Sequence, residues 1–238
     1  MINNWLFKYW NRKQFSHYEA AGRHLLYRQK SYDRFIIEEI WERNEYFLSE
    51  QDLPAAGVII DIGAHIGAFA LRANALFPTH RILAFEPVAD NFKLLKKNIA
   101  INGCSNIEPI QAAITGSTQR LNLYLSKENT AGHTQYIHPH RGVVNVPAIP
   151  MAQLFARYAI EQIALLKIDC EGSEYDILKH LTPEQLAKIH HLCVEYHPVE
   201  GYNFTDLQNR LTAQGFCLVQ HKEGYLPGQG TALFIHKK

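Results

Sequence analysis

"VIIDIGAHIGAFA", residues 58–70, decides the fold. Val58, Ile59 and Ile60 make a short β-branched run, Asp61 ends it, and Gly63 and Gly67 lead into an apolar helical pattern. A strand that turns through glycine into a helix aims backbone N–H groups at whatever lies beyond the sheet edge. Laid on the dinucleotide fingerprint G-x-G-x-x-G/A, the stretch supplies Gly63, His65 and Ala68. The middle glycine of that fingerprint lets a pyrophosphate approach the backbone, and here it is a histidine. The turn therefore suits a nucleoside ligand that has no pyrophosphate.

S-adenosylmethionine meets that condition: an amino-acid tail joined through a sulfonium to adenosine. Asp61 is expected to act on its ammonium, directly or through water, while the glycine turn leaves room for the tail. Glu86 ends the next strand, nineteen residues beyond Gly67, where a carboxylate can accept from both ribose hydroxyls.

Outward from the turn, strands and helices alternate, the signature of a mostly parallel sheet covered on both faces. "RILAFE" (81–86) reads as the second strand, followed by a helix over 89–101, and "IEPIQAAI" (107–114) as the third. "QRLNLYLS" (119–126) and "VVNVPAI" (143–149) alternate like antiparallel or edge strands. "QIALLKID" (162–169) and "IHHLCVEYH" (189–197) are the fourth and fifth main strands. After a helix over 204–215, "FCLVQ" (216–220) and "ALFIH" (232–236) read as a terminal hairpin. Residues 15–48 read as helical, so a helical extension over 1–50 is expected to pack on a domain spanning 51–238.

The chain has 238 residues, which suits one large α/β domain. Its 24 Lys and Arg against 23 Asp and Glu leave a formal charge of +1, no footprint for general nucleic-acid binding. No apolar run is long enough to span a bilayer, and no signal-peptide pattern opens the chain. The aromatic, basic "MINNWLFKYWNRK" (1–13) reads as a docked N-terminal arm. Cys104, Cys170, Cys193 and Cys217 lack metal-type pairing. A reducing, cytoplasmic setting is expected.

"LLKIDCEGSEYDIL" (165–178) crowds acids where a buried strand surfaces, and "VEYHP" (194–198) ends the next strand. Side by side, these ends bring Asp169, Glu171, Glu195 and His197 together at the edge where open α/β sheets bind ligands. One reading has Asp169 and Glu171 orient cofactor and acceptor, with His197 or Glu195 as general base. A second makes Asp169, Glu195 and His197 ligands of a divalent metal, although no spacing is diagnostic and no metal is predicted. A third assigns acids to the following helix, with Ser173 as N-cap; Glu174 and Asp176 fit it best. Gly172 allows the sharp turn, and Lys167 is in register to pair with a cluster carboxylate. His133, His138 and His140, with Tyr136 and Arg141, lie in a loop expected to be a mobile lid or an exposed loop. Tyr225, in "HKEGYLPGQGT" (221–231), is expected over the acceptor pocket.

Five segments resemble the FkbM-type family of S-adenosylmethionine-dependent methyltransferases: "EYFL", "IIDIGAHIGAFAL", "AFEPVADNFKLLKKNI", "LLKIDCEGSEYDIL" and "VEYHP". Together they span residues 45–198, and "LKIDCEGSE" is the most diagnostic. The resemblance implies a Rossmann-like methyltransferase fold: a seven-stranded, mostly parallel sheet with an antiparallel last strand and helices on both faces. It implies O-methylation of a hydroxyl on a small molecule, sugar or glycan. It also implies that Asp61, Gly63, Gly67 and Glu86 hold the cofactor, together with Ala64, His65, Pro87 and Asp169, with Ala112 and Ala113 near the adenine. Residues 119–149 and the N-terminal segment match loosely and are expected to choose the acceptor. The alternatives are an NAD(P)-dependent oxidoreductase, against which His65 speaks, and a non-catalytic S-adenosylmethionine-binding protein. Methyltransferases acting on nucleobase or amide nitrogen often carry Asn/Asp-Pro-Pro-Tyr/Phe after the fourth strand, where this chain reads "DCEG".

Overall fold

The computed structural model describes residues 14–126, 134 and 140–237. The N-terminal stretch 1–13 and His133, Tyr136 and His138 lie outside the described residues, as do the side chains of His140 and Arg141.

Strands β3 (Val58–Ile62), β4 (Arg81–Phe85) and β5 (Ile107–Ile110) run parallel on one side of the sheet centre. β9 (Ile163–Ile168) and β10 (Ile189–Tyr196) continue in parallel on the other. The terminal hairpin of β11 (Phe216–Glu223) and β12 (Gly230–His236) closes the order β11-β12-β10-β9-β3-β4-β5, with β12 antiparallel to both neighbours. A sheet buried on both faces needs strands that are apolar throughout rather than alternating. "IALLKI" of β9 is buried at every position.

Alternate residues feed two cores. Ile60, Ile62, Leu166 and Ile168 pack with α4 (Met151–Arg157), α5 (Glu174–Lys179) and α7 (Phe204–Ala213). Ile59 and Leu165 face α1 (Asp33–Trp41), α2 (Ala68–Leu76) and α3 (Ala89–Ile101). Asp61 and Lys167, register partners on β3 and β9, lie on this second face. The remaining helix, α6 (Pro183–Leu186), opens with a capping box from Thr182 and Gln185.

Two readings need correction. Residues 15–28 are not helical: they form a hairpin, β1 (Phe15–Ala20) and β2 (Arg23–Arg28), around Ala21 and Gly22, both at positive φ. A two-residue turn with two left-handed positions matches strand twist, and Gly22 was its signal. Asn98 on α3 bonds both the N–H and the C=O of Leu26, and Asn102 does the same for His24, which satisfies the outer edge of β2. The helical reading holds only for α1. Residues 107–114 are likewise not one strand. The chain leaves the main sheet after Ile110, and β6 (Ala113–Thr115) joins a separate three-stranded sheet with β8 (His140–Pro150) and β7 (Arg120–Ser126). Pro109, which offers no N–H, fits β5 because that strand is at the sheet edge.

Candidate functional site

Four strand ends meet at one edge of the sheet, and Gly63 is the seam between them. Its φ is +79°, and a Cβ there would stand 1.8 Å from the Asp169 carbonyl oxygen. Gly67, at φ +94°, would press a Cβ against Leu95 of α3 at 2.8 Å. At both glycines an added Cβ would meet protein. Lys167 Nζ fastens the turn from below, donating to the Gly63 carbonyl at 2.8 Å.

Asp61 is buried beneath the turn and lines neither of the two cavities at this edge. Its partner is Lys167, whose Nζ stands 3.2 Å from Asp61 Oδ1 and 3.3 Å from Asp169 Oδ2. The first is above all a charge contact between buried groups. Burial opposes the ammonium, but the two carboxylates outweigh it and hold Lys167 charged. Direct contact of Asp61 with a bound ammonium is therefore not what this geometry offers. Lys167 pairs with cluster carboxylates as its register suggested.

Glu86 is held by backbone. His65 N donates to Oε2 at 2.9 Å and Val88 N to Oε1 at 2.8 Å, with Asn91 Nδ2 3.4 Å from Oε1. Burial pushes its carboxyl up to about 7 against these bonds. Beside it opens the first cavity, about 510 Å³ and partly open to solvent. Apolar groups from Phe85, Ala112, Ala113, Leu121 and Leu123 line it, together with Pro87. The second cavity, about 990 Å³, is walled by Ala64, His65, Tyr46, Glu39, Glu45 and Glu195, with Tyr225 at its rim. Tyr225 is 83% exposed and accepts a bond from Arg43 Nη1. Gly63, Glu86, Asp169 and Glu171 line both cavities, so the two form one cleft.

The other wall comes from β9 and β10. The Tyr46 hydroxyl bridges Asp169 Oδ2 at 2.8 Å and Glu195 Oε2 at 2.7 Å, its single proton serving one of them at a time, and so ties the two strand ends together. Burial opposes ionisation of Asp169, but Lys167, His197 and the Tyr46 bond outweigh it and hold its pKa low. Burial and the Asp169 charge push Glu195 up. His197 contacts Glu174 Oε1 through Nδ1 at 3.1 Å, while its Nε2 is 3.5 Å from Glu171 and 3.7 Å from Glu195. Burial disfavours the imidazolium, yet Glu174, Glu171 and Glu195 together keep His197 well above its usual value. It is set behind Glu171 and Glu195, carboxylates that favour its charged form, and lines neither cavity. Burial raises Glu171 to about 7. That residue also takes φ +54°, a left-handed conformation rare for a side chain with Cβ and common at functional sites. The ligating atoms of Asp169, Glu195 and His197 lie within 4.8 Å of one another, the one such group among the described residues.

Two roles escaped the sequence reading. Glu174 does open α5 as an acid of its first turn, but it is also fully buried and accepts from Gly172 N, His197 N and the His197 ring. Its signal was the apolar company of "YDIL" after it. Tyr46, 149 residues from Glu195, was marked only by its place in "EYFL", with nothing to point to its partners. Ser173 does occupy the N-cap of α5 but makes no side-chain cap bond. Asp176 accepts from Gly116 N and pairs with His180, away from the cleft.

Residues 61–218 match the Methyltransferase FkbM domain. The methyltransferase sdnD of Sordaria araneosa is 25% identical over 82% of this chain and 86% of its own length. The 31-O-demethyl-FK506 methyltransferase FkbM of Streptomyces tacrolimicus is 22% identical with the same coverage. Among solved structures, a methyltransferase FkbM from Methylobacillus flagellatus superposes with a TM-score of 0.55 at 17% identity. It covers 79% of this chain, and the chain spans 45% of that protein. The fold, the cleft at the strand ends and a match spanning well over half of the chain lead to one conclusion: this protein belongs to the FkbM family of methyltransferases.

Proposed function

We propose that the cleft binds S-adenosylmethionine and that the protein methylates a hydroxyl on a small molecule, sugar or glycan. The observation that carries the reading is the cleft's division. An apolar cavity beside Glu86 continues, through Asp169 and Glu171, into a second cavity rich in carboxylates. The first has the lining an adenosine needs, with a carboxylate for its hydroxyls. The second offers concentrated negative charge to a sulfonium and an ammonium, and would repel the pyrophosphate of a dinucleotide. The Streptomyces tacrolimicus relative, named for an O-demethyl substrate, supports a hydroxyl acceptor.

When bound, S-adenosylmethionine supplies a methyl group already activated by its sulfonium, so the chain must align the acceptor, exclude water and take a proton. Glu86 binds the ribose. Asp169, held ionised by Lys167 and Tyr46, presents fixed negative charge at the junction of the cavities. Glu171 is the assigned proton acceptor: it lines both cavities, and its charged neighbour is His197 Nε2 at 3.5 Å. His197, which lines neither cavity, positions Glu171 and Glu195 from behind and is not the base in this reading. The balanced charge of the chain supports a small acceptor over a nucleic acid. Four free thiols support a cytoplasmic setting.

The test is incubation with methyl-labelled S-adenosylmethionine and a panel of hydroxylated sugars, polyols and macrocycles, read by mass spectrometry. A single added methyl on oxygen is expected. Calorimetric binding of NAD, with none of S-adenosylmethionine, would overturn the reading.

A further inference from the structure

His65 stands where a dinucleotide turn carries glycine, and it takes φ +50°, a conformation unfavourable for any residue with a Cβ. The chain holds it there from a distance. Arg28, at the end of β2, grips Asp33 with Nε and Nη2, both at 2.8 Å. Asp33 is fully buried at the start of α1, and its Oδ1 lies 3.2 Å from His65 Nε2. Arg28 Nη2 also reaches His65 Nε2 at 3.1 Å and donates to Asn91 Oδ1 at 2.8 Å. Both of these contacts end on Glu86, through the His65 backbone N–H and the Asn91 amide.

Resting on the reading that the cleft takes S-adenosylmethionine, we propose that Arg28 and Asp33 are positioning residues for the cofactor: they latch His65 and Asn91 so that Glu86 is aimed at the ribose. The matched family domain begins at residue 61, so the latch comes from the hairpin and helix that precede it. The N-terminal segment is then part of the binding site and not an appended extension. It also gives the histidine a purpose: a glycine would adopt the same backbone but leave Asp33 and Arg28 nothing to hold in the turn.

The experiment is calorimetry with S-adenosylhomocysteine on Arg28→Met and Asp33→Asn, each in the native and the Glu86→Gln background. In the native background each variant is expected to bind about tenfold more weakly. In the Glu86→Gln background the same substitutions are expected to change affinity less than about twofold, because they act through Glu86. A merely structural role would weaken binding equally in both backgrounds, and that result overturns the proposal. So does unchanged affinity in the native background. If Arg28→Met does not fold, Arg28→Lys keeps the charge and stem but loses the two-pronged grip, and unaltered affinity there counts equally against the latch. If the unsubstituted protein fails to bind S-adenosylhomocysteine, the cofactor reading itself falls. Binding by that protein with unaffected variants removes only the latch.

Discussion

Glu86 and Glu171 face the same cleft from opposite halves of one sheet, and burial pushes both carboxyls up to about 7. Their surroundings differ. Two backbone N–H groups fix Glu86, in a turn that Gly63 and Ala64 fasten to the Phe85 carbonyl. Glu171 has a charged side chain for its neighbour, and that side chain, His197, is itself fixed by the buried Glu174. A carboxylate held by backbone is suited to recognising a ligand that does not change. One facing a cation through a 3.5 Å gap has room to exchange a proton. In the proposed reading, binding belongs to the β3–β4 half of the cleft and chemistry to the β9–β10 half.

The largest effect is expected where the halves touch. Gly63→Ala places a Cβ 1.8 Å from the Asp169 carbonyl at a positive φ, so the backbones of β3 and β9 must part. We expect a loss of about 4 kcal/mol or more, or no folded protein, measured by urea unfolding. Glu174→Ala comes next. It leaves the His197 imidazolium without its closest carboxylate in a buried place, at a cost of about 3 kcal/mol. Its unfolding curve should shift while affinity for S-adenosylhomocysteine holds, since Glu174 supports the chemical half only.

A smaller effect separates the halves by pH. The Glu86 carboxyl is raised in the folded protein from an ordinary 4.5 to about 7. Between those values the folded chain holds a proton that the unfolded chain has lost, so this group's contribution to stability falls as pH rises through that window. Ribose hydroxyls donate to the ionised form. Binding should therefore expel the proton, and affinity should climb as pH rises through about 7. Calorimetry in buffers of different ionisation heat reads the released proton, and Glu86→Gln should reduce it. Tyr46→Phe is expected to cost least, about 1 kcal/mol, because Lys167 and His197 still stabilise the two carboxylates it bridges.

What was legible in the sequence follows from what is local. The parallel strands announced themselves as apolar runs, and the turn by its glycines, because strand burial and positive φ each act within a few residues. Asp169, Glu171 and Glu195 were legible because consecutive parallel strands put their ends at one edge. The hairpin at 15–28 was misread because tyrosines, histidines and leucines there suit either period, and only Gly22 marks the turn. The Tyr46 bridge and the Arg28 latch were not legible, since each joins segments far apart in sequence. Asp61 is legible as the end of a strand, and alternation turns its carboxylate to the face where Lys167 meets it, a pairing only the fold reveals.

The division of the cleft is tested most directly by calorimetry with S-adenosylhomocysteine, which lacks the sulfonium charge, on Glu86→Gln and Glu171→Gln. The account predicts a loss of about tenfold or more for Glu86→Gln and a change below about twofold for Glu171→Gln. Equal losses in the two variants, or a larger loss at Glu171, would contradict it.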